Sequence, residues 1–366
     1  MQFSIQREAL LKPLQQVIGV VERRQTLPVL SNLLVVADGA KVKFTGTDLE
    51  VEMSATVEAQ DVQSGEVTIP ARKLFDICRA LPDGSKVQFK LAGERVTVSS
   101  GRSRFTLATL AATEFLVIDN IELIERVSLP KTTLKELMDR TAFAMANQDV
   151  RYYLNGMLLD LREKTLRCVA TDGHRLALAE TDIDAGKSAA RQIIIPRKGV
   201  VELQGLFESG EGNVELEFGR NHLRVRHNEV VFTSKLIDGR FPDYEAVIPI
   251  GADKEVVLAR DVLRGALQRA AILSNEKYRG VKLDVSANKL RIVAHNPEQE
   301  EAVEEVEART GVNELSVGFN VNYLLDALNA LQGDDVTLCL RDANSSCLLR
   351  APASDKSRHV IMPLRL

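Results

Sequence analysis

The residues of this 366-residue chain whose types invite chemistry cluster in two neighbouring stretches. Arg151-Tyr152-Tyr153-Leu154-Asn155-Gly156-Met157 supplies a guanidinium and paired phenols. Ala170-Thr171-Asp172-Gly173-His174-Arg175-Leu176 supplies a carboxylate and an imidazole. Together with Ser188, Asp172 and His174 have the residue types of a hydrolytic triad. No GxSxG elbow presents a serine, however. Ala185-Gly186-Lys187-Ser188 resembles the tail of a phosphate loop but lacks the upstream glycine at its fixed spacing, and reads as a surface loop. Glu298, Glu300, Glu301, Glu304, Glu305 and Glu307 lack the Asp/Asn–Gly pattern of a calcium loop, and read as a solvated or partner-facing acidic strand. Cys78, Cys168, Cys339 and Cys347 have no CxxC spacing and no histidine companions, which predicts reduced, mostly buried thiols in a cytosolic protein. No metal or cofactor is called for.

The elements that must hold these residues repeat along the chain. Phe3-Ser4-Ile5 leads into a helical pattern from Glu8, Val127-Ser128-Leu129-Pro130 into one from Thr133, and Val256-Val257-Leu258 into one from Asp261. The period is roughly 125 residues, the size of a domain rather than of a solenoid unit. A second strand-to-helix unit follows in each copy, at Val67-Thr68-Ile69-Pro70, Ile193-Ile194-Ile195-Pro196 and Leu315-Ser316-Val317. Val87–Leu91 and Arg95–Val98 read as a hairpin turned by Ala92-Gly93-Glu94. The expected fold is therefore α+β, with three similar domains at residues 1–125, 126–250 and 251–366, each of two strand–helix–strands units. No flexible linker separates them. The repeat also bears on catalysis. Thr47-Asp48-Leu49-Glu50 occupies the place of Thr171-Asp172-Gly173-His174, so the acid belongs to a strand-end turn and needs no catalytic role.

Composition narrows the class. Hydrophobic residues make up 45% and charged residues 27%, as in ordinary globular proteins, and the formal net charge is −4. No apolar run reaches the roughly 20 residues of a membrane span, and no signal peptide is visible. The acidity argues against wrapping nucleic acid over the whole surface, but not against local contact. Basic residues recur on the helical segments: Lys12, Lys131, Lys135, Arg140, Arg264, Arg269, Arg72, Lys73, Arg79, Arg197 and Lys198. Without a base-reading motif they would give phosphate contacts and affinity without sequence preference. Six helices about 9 Å apart, closed in a circle, would leave a hole about 7 Å wide. Twelve, from two chains, would leave about 25 Å, enough for a duplex about 20 Å across. Encirclement of DNA thus requires a head-to-tail dimer.

Several long stretches resemble the bacterial replicative sliding clamps, the beta subunits of DNA polymerase III. They include Gly46-Thr47-Asp48-Leu49-Glu50, Gln148 to Met157, Ala170 to Leu176, Pro196-Arg197-Lys198-Gly199, Asp238 to Tyr244, Ala271 to Lys277, Asn296 to Glu301 and Met362-Pro363-Leu364-Arg365-Leu366. The resemblance runs the length of the chain. It implies a cytoplasmic, non-enzymatic processivity factor for DNA replication. Two chains would form a homodimeric ring with helices lining the pore and sheets outside. A clamp loader complex would place it on primed or double-stranded DNA. DNA polymerase III alpha subunit, other polymerases and repair proteins would then bind it through a short clamp-binding peptide.

Residue by residue, the resemblance implies DNA contacts at Arg24, Gln148, Arg151, Tyr152, Tyr153 and Arg197. It implies a partner-peptide cleft at Leu154, Thr171, Gly173, His174, Arg175, Leu176, Pro242, Val247, Asn320, Tyr323, Ser346, Val360, Ile361, Met362, Pro363, Leu364 and Arg365. An apolar trough of this kind takes Leu and Phe anchors from an extended peptide. The implied ring interface sets Lys73, Arg102, Arg104 and Leu107 against Ile272, Leu273, Glu300, Glu301 and Glu304. The chain departs from the family at Ala246, where relatives often carry Arg, and at Asn344, where some carry Val. It departs again at Ala111-Ala112-Thr113-Glu114-Phe115-Leu116, where prolines around an Asp-Phe pair are usual. An enzyme using Asp172 and His174 on nucleic acid, or a site-specific DNA binder, are the alternatives. The second lacks a recognition-helix motif.

Overall fold

The structure, a computed structural model, describes residues 1–22, 27–118, 121–183, 190–208 and 211–365. Arg24, and the Ala185-to-Ser188 stretch considered above, lie outside them. Among the described residues there are six α-helices: α1 Arg7–Ile18, α2 Ala71–Ala80, α3 Lys131–Asp139, α4 Arg197–Leu206, α5 Arg260–Ala271 and α6 Val321–Ala330. Each third of the sequence carries two, as the repeat predicts, and the class is α+β. None is long and apolar enough to cross a membrane.

Apolar spacing explains the helices. α5 buries Leu263, Ala266, Leu267 and Ala270, and α1 buries Leu10, Leu14, Val17 and Ile18. Positions three and four apart share one face, which turns to the core. Pro70, Pro130 and Pro196 each end the strand just before a helix. Their fixed φ and missing N–H suit that junction, where no helical partner exists for the donor. α6 starts differently. The Asn320 side chain accepts from the backbone N–H groups of Asn322 at 2.9 Å and Tyr323 at 3.4 Å, a side-chain cap.

Two compact units result, one of Met1–Thr132 with Lys198–Leu236, the other of Thr133–Arg197 with Ile237–Leu366. The first holds a five-stranded and an eight-stranded antiparallel sheet. In the five-stranded sheet the strand Ser103–Ala108 forms one edge, pairing on one side with Arg95–Ser100. The neighbouring hairpin is tighter than the sequence suggests. Ala92 pairs with Arg95, so Gly93 and Glu94 alone make the turn, with Gly93 at φ +57°. The departing Ala112–Glu114 stretch is a single 3₁₀ turn, and Phe115 after it buries against Val29 and Leu30.

The second unit holds a nine-stranded and a four-stranded sheet. The nine-stranded sheet joins distant stretches of sequence, because Arg175–Asp182 pairs with Ser354–Ile361 and sets Leu176 opposite Val360. The four-stranded sheet ends in Glu301–Glu307 on one side and Glu314–Asn320 on the other. Beneath it a continuous core gathers Val281, Leu283, Ile292 and Phe319 with the inner faces of α5 and α6.

Gly156 reports how closely the chain packs where the strand Gly156–Leu161 begins. A Cβ there would lie 2.4 Å from the Ile195 carbonyl oxygen, whereas one on Gly205 in α4 would meet nothing within 4 Å. Gly156→Ala should therefore lower the thermal unfolding midpoint, at a cost on the order of 2–3 kcal/mol. Gly205→Ala should raise it by the equivalent of about 0.5–1 kcal/mol. Differential scanning fluorimetry of both variants checks the pair.

Candidate partner cleft and DNA-facing loop

The turn that first suggested catalysis is built from backbone hydrogen bonds. Asp172 Oδ1 accepts from the N–H groups of His174 at 2.9 Å and Arg175 at 3.0 Å, and Thr171 Oγ1 accepts from Gly173 N–H at 3.1 Å while donating to the Arg175 carbonyl at 2.6 Å. The first third of the chain repeats the pattern. Asp48 Oδ1 accepts from Glu50 at 2.9 Å and Val51 at 2.7 Å, and Thr47 Oγ1 accepts from Leu49 at 3.0 Å and donates to the Val51 carbonyl at 3.0 Å. In the last third Asn296 Oδ1 accepts from Glu300 N–H in a longer turn. The second oxygen of Asp172 accepts from Arg175 Nε at 3.1 Å, so both oxygens are committed to the turn. His174 is exposed, and its carbonyl accepts from Met362 N–H at 2.9 Å.

Beside this turn lies an apolar cavity of about 180 Å³. Nine of the residues the resemblance assigns to a cleft line it: Leu154, Thr171, Gly173, Arg175, Leu176, Pro242, Val247, Val360 and Met362. So do Arg151, Tyr153 and Tyr244. Leu176, Tyr244 and Val360 of this lining belong to a buried cluster with Leu158, Val169, Leu178, Ile194 and Phe241 on one face of the nine-stranded sheet. Tyr244, which sequence reasoning missed, fixes the outer wall. Its hydroxyl donates to the buried Asp160 at 2.6 Å and accepts from Arg162 at 3.0 Å and Arg167 at 3.1 Å. Glu245 adds contacts to Arg162 at 3.0 Å and Arg167 at 2.6 Å, and the two guanidiniums hold its carboxyl below the usual range. Burial, then the Asp160 bond, raises the Tyr244 phenol and keeps it a donor. Its partners stand roughly eighty residues away, so no local pattern announces them.

Arg175 is held from every side. Its guanidinium pairs with Asp172 and, at 2.5 Å, with Asp326, donates to the Phe143 carbonyl at 2.9 Å, and lies 4.5 Å from the Tyr323 ring centroid. Tyr323 thus enters the site through Arg175, and Asn320 by capping the helix that carries Tyr323. Ile361 is in the core under α5 and α6, and Ser346 and Pro363 are half-buried. Leu364 and Arg365 line a different cavity.

The loop before Tyr153 is closed on itself. Asn155 accepts from Asp149 N–H and donates to the Asp149 carbonyl, both at 2.9 Å. Arg151 grips Asp149 through Nε at 3.0 Å and a terminal nitrogen at 2.8 Å, which holds the Asp149 carboxyl down at about 2. Gln148 is forced to φ +57°, and Val150 at the tip is 94% exposed. Tyr152 is exposed, edge-on to Tyr153 at 5.8 Å. Arg197 donates to the Met145 carbonyl at 3.1 Å. Among the basic helix residues, Lys131 is only 2% exposed and cannot meet a phosphate, a correction to its sequence reading. Lys198 is drawn into Asp48, Glu22 at 2.9 Å and the Val20 carbonyl at 3.1 Å.

Of the residues expected at a ring interface, Lys73, Arg102, Arg104, Glu300 and Glu301 are exposed, and Ile272 is 76% exposed. Leu273 is half-buried, Leu107 is buried within its own unit, and Glu304 is bound by Arg269 at 2.7 and 2.8 Å. All four cysteines are buried free thiols, and burial pushes Cys78 and Cys168 up to about 12.

Comparison with known proteins decides the family. Models of the DNA polymerase III beta subunit match three consecutive stretches, the N-terminal domain at residues 1–119, the central domain at 128–243 and the C-terminal domain at 245–365. The chain belongs to that family. The beta sliding clamp of Pseudomonas putida is 52% identical over 367 residues, and that of Escherichia coli K12 is 50% identical over 369, each over 100% of both chains. The crystal structure of a Pseudomonas aeruginosa sliding clamp bound to griselimycin superposes with a TM-score of 0.97 at 51% identity, covering 100% of both chains. The function is accordingly that of a DNA sliding clamp in replication.

The wall beside Pro242 depends on one phenol. Tyr244→Phe leaves Asp160 short of a donor and should cost about 1–3 kcal/mol. The thermal midpoint should fall, and ligands of the apolar cavity should bind more weakly by titration calorimetry.

Proposed function

We propose that two copies of this chain close head-to-tail into a ring around duplex DNA, that the apolar cavity holds a short peptide of a polymerase or repair protein, and that the assembly works in the cytoplasm without chemistry of its own. Each chain would contribute three clamp domains, divided near residues 125 and 250. What carries the reading is a pair of sheet edges. Ser103–Ala108, which carries exposed Arg104 and follows exposed Arg102, ends one sheet, and Glu301–Glu307, with Glu300 before it, ends another. An open edge is a template for pairing with another strand. Opposite charges favour the pairing of unlike edges and disfavour like ones, which selects the head-to-tail orientation. Exposed Ile272 supports an apolar contact beside it. A closed ring of this kind slides on the duplex but leaves only at an end.

The cavity supports the tethering part. Leu154, Leu176, Val360 and Met362 offer an apolar seat with few polar groups, suited to Leu and Phe side chains of an extended segment. Modest peptide affinity suffices, because the ring keeps the partner at high local concentration. Gln148, Arg151, Tyr152, Tyr153 and Arg197 would meet DNA from the loop and helix described above, together with Arg24. Arg151 would first have to exchange Asp149 for a phosphate.

Loaded onto nicked circular DNA by a clamp loader, the protein should stay bound through gel filtration and be lost once the circle is cut by a restriction enzyme. Retention that is indifferent to linearisation would sink the ring. Deleting Met362 to Leu366 should abolish binding of a Leu/Phe-anchored peptide in fluorescence anisotropy while light scattering still reports a dimer. A monomer would mean that the tail is structural.

A further inference from the structure

The chain's last described residues border two cavities. Met362 lines the first; Leu364 and Arg365 line a second, of about 690 Å³, together with Asn275, Tyr278, Lys282 and Val293. The second lies against the four-stranded sheet. Val293 pairs with Lys282, Lys282 pairs with Gly318, and the Gly318 carbonyl accepts from Leu364 N–H at 2.7 Å. A row across three strands therefore leads from the floor of the second cavity to the tail. Met362 and Leu364 are two residues apart, about 7 Å of extended chain. A peptide only a few residues longer than one filling the first cavity reaches the second.

The lining specifies what it would take. Val293, Leu364 and the Tyr278 ring give an apolar floor. Cations surround it: exposed Arg365, Lys277 lying 5.3 Å from the Tyr278 ring centroid, and Lys282, 46% exposed and shared with Asp284 at 3.2 Å. A phosphate backbone would satisfy the cations but leave the floor empty, and its repeated charges would run past Asp284 and past Glu301, 3.5 Å from His295, whereas a single carboxylate can sit at the cations alone. An apolar side chain next to a carboxylate uses both features.

We propose that the second cavity extends the partner cleft and binds an apolar residue with an adjacent Asp or Glu, from the segment flanking the anchoring motif of the same partner peptide. This rests on the cleft reading above. The test uses the full-length protein and fluorescence anisotropy with a short Leu/Phe-anchored peptide. Two further peptides extend it with Gly-Ser-Leu-Asp-Asp, one at each end. One extended peptide should bind about tenfold tighter than the short one, equivalent to about 1.4 kcal/mol. The double variant Tyr278→Ala/Lys282→Glu should erase that gain and leave the short peptide unchanged. Replacing the two Asp residues of the extension by Lys should restore part of the gain in Lys282→Glu alone. Extended peptides that bind no tighter than the short one, or a gain that survives the double variant, would overturn the proposal. So would loss of binding to an oligothymidylate in the double variant with peptide binding intact, which assigns the cavity to nucleic acid. If the short peptide itself fails to bind, the cleft reading falls instead.

Discussion

The hydrogen bond from Tyr244 to Asp160 is the contact on which the partner surface rests. A buried carboxylate is costly unless its lone pairs are filled. Here a phenol and Arg162 fill them, and the same phenol accepts from Arg162 and Arg167. The network fastens the Phe241-to-Ile248 segment over a sheet whose exposed face would otherwise be a bare apolar patch. What is left between segment and sheet is the cavity. Its size and its apolar character follow from where that polar knot is tied.

Arg175 does the corresponding work on the opposite wall. It joins the Asp172 turn, the Phe143 carbonyl, Asp326 and the face of Tyr323. Three of its five N–H donors are taken within the protein, so it shapes the cleft as well as lining it. Sequence resemblance places it in the cleft, but matching a position does not show the contacts that hold the guanidinium there.

Much of the architecture is legible in the sequence for a physical reason: strands and helices here are periodic and the repeat is domain-sized. The spacing of Leu263, Ala266, Leu267 and Ala270 predicts α5, and the echo of Thr47-Asp48 in Thr171-Asp172 predicts two equivalent turns. The long-range features are not legible. Nothing near Tyr244 points to Asp160, and nothing in Leu364 points to Gly318. Lys131 looks like a solvated helix cation and is buried, because helical periodicity does not say which neighbouring segments cover the start of a helix. Compactness and repetition also divide the chain differently. Strands at Asn213–Gly219 and Val230–Lys235 join the first unit, whereas Gly156–Leu161 and Thr165–Thr171 join the second.

The Thr-Asp turn carries one more consequence. Its geometry is maintained by a hydroxyl, a carboxylate and backbone amides, with left-handed backbone at Leu49 (φ +78°) in one copy and at Gly173 (φ +88°) in the other. Leu49 packs beside Val29, Leu30 and Phe115, but the side chain at the second position after the acid, Glu50 in one copy and His174 in the other, is exposed and takes no part in that maintenance. A module duplicated with this turn is therefore free to rewrite that second position without renegotiating its fold, whereas Gly173 is held to glycine by its positive φ and by the Arg151 guanidinium, 2.8 Å from where a Cβ would lie. Specialisation of a single copy, while its siblings remain plain scaffold, is built into the division of labour between main chain and side chain.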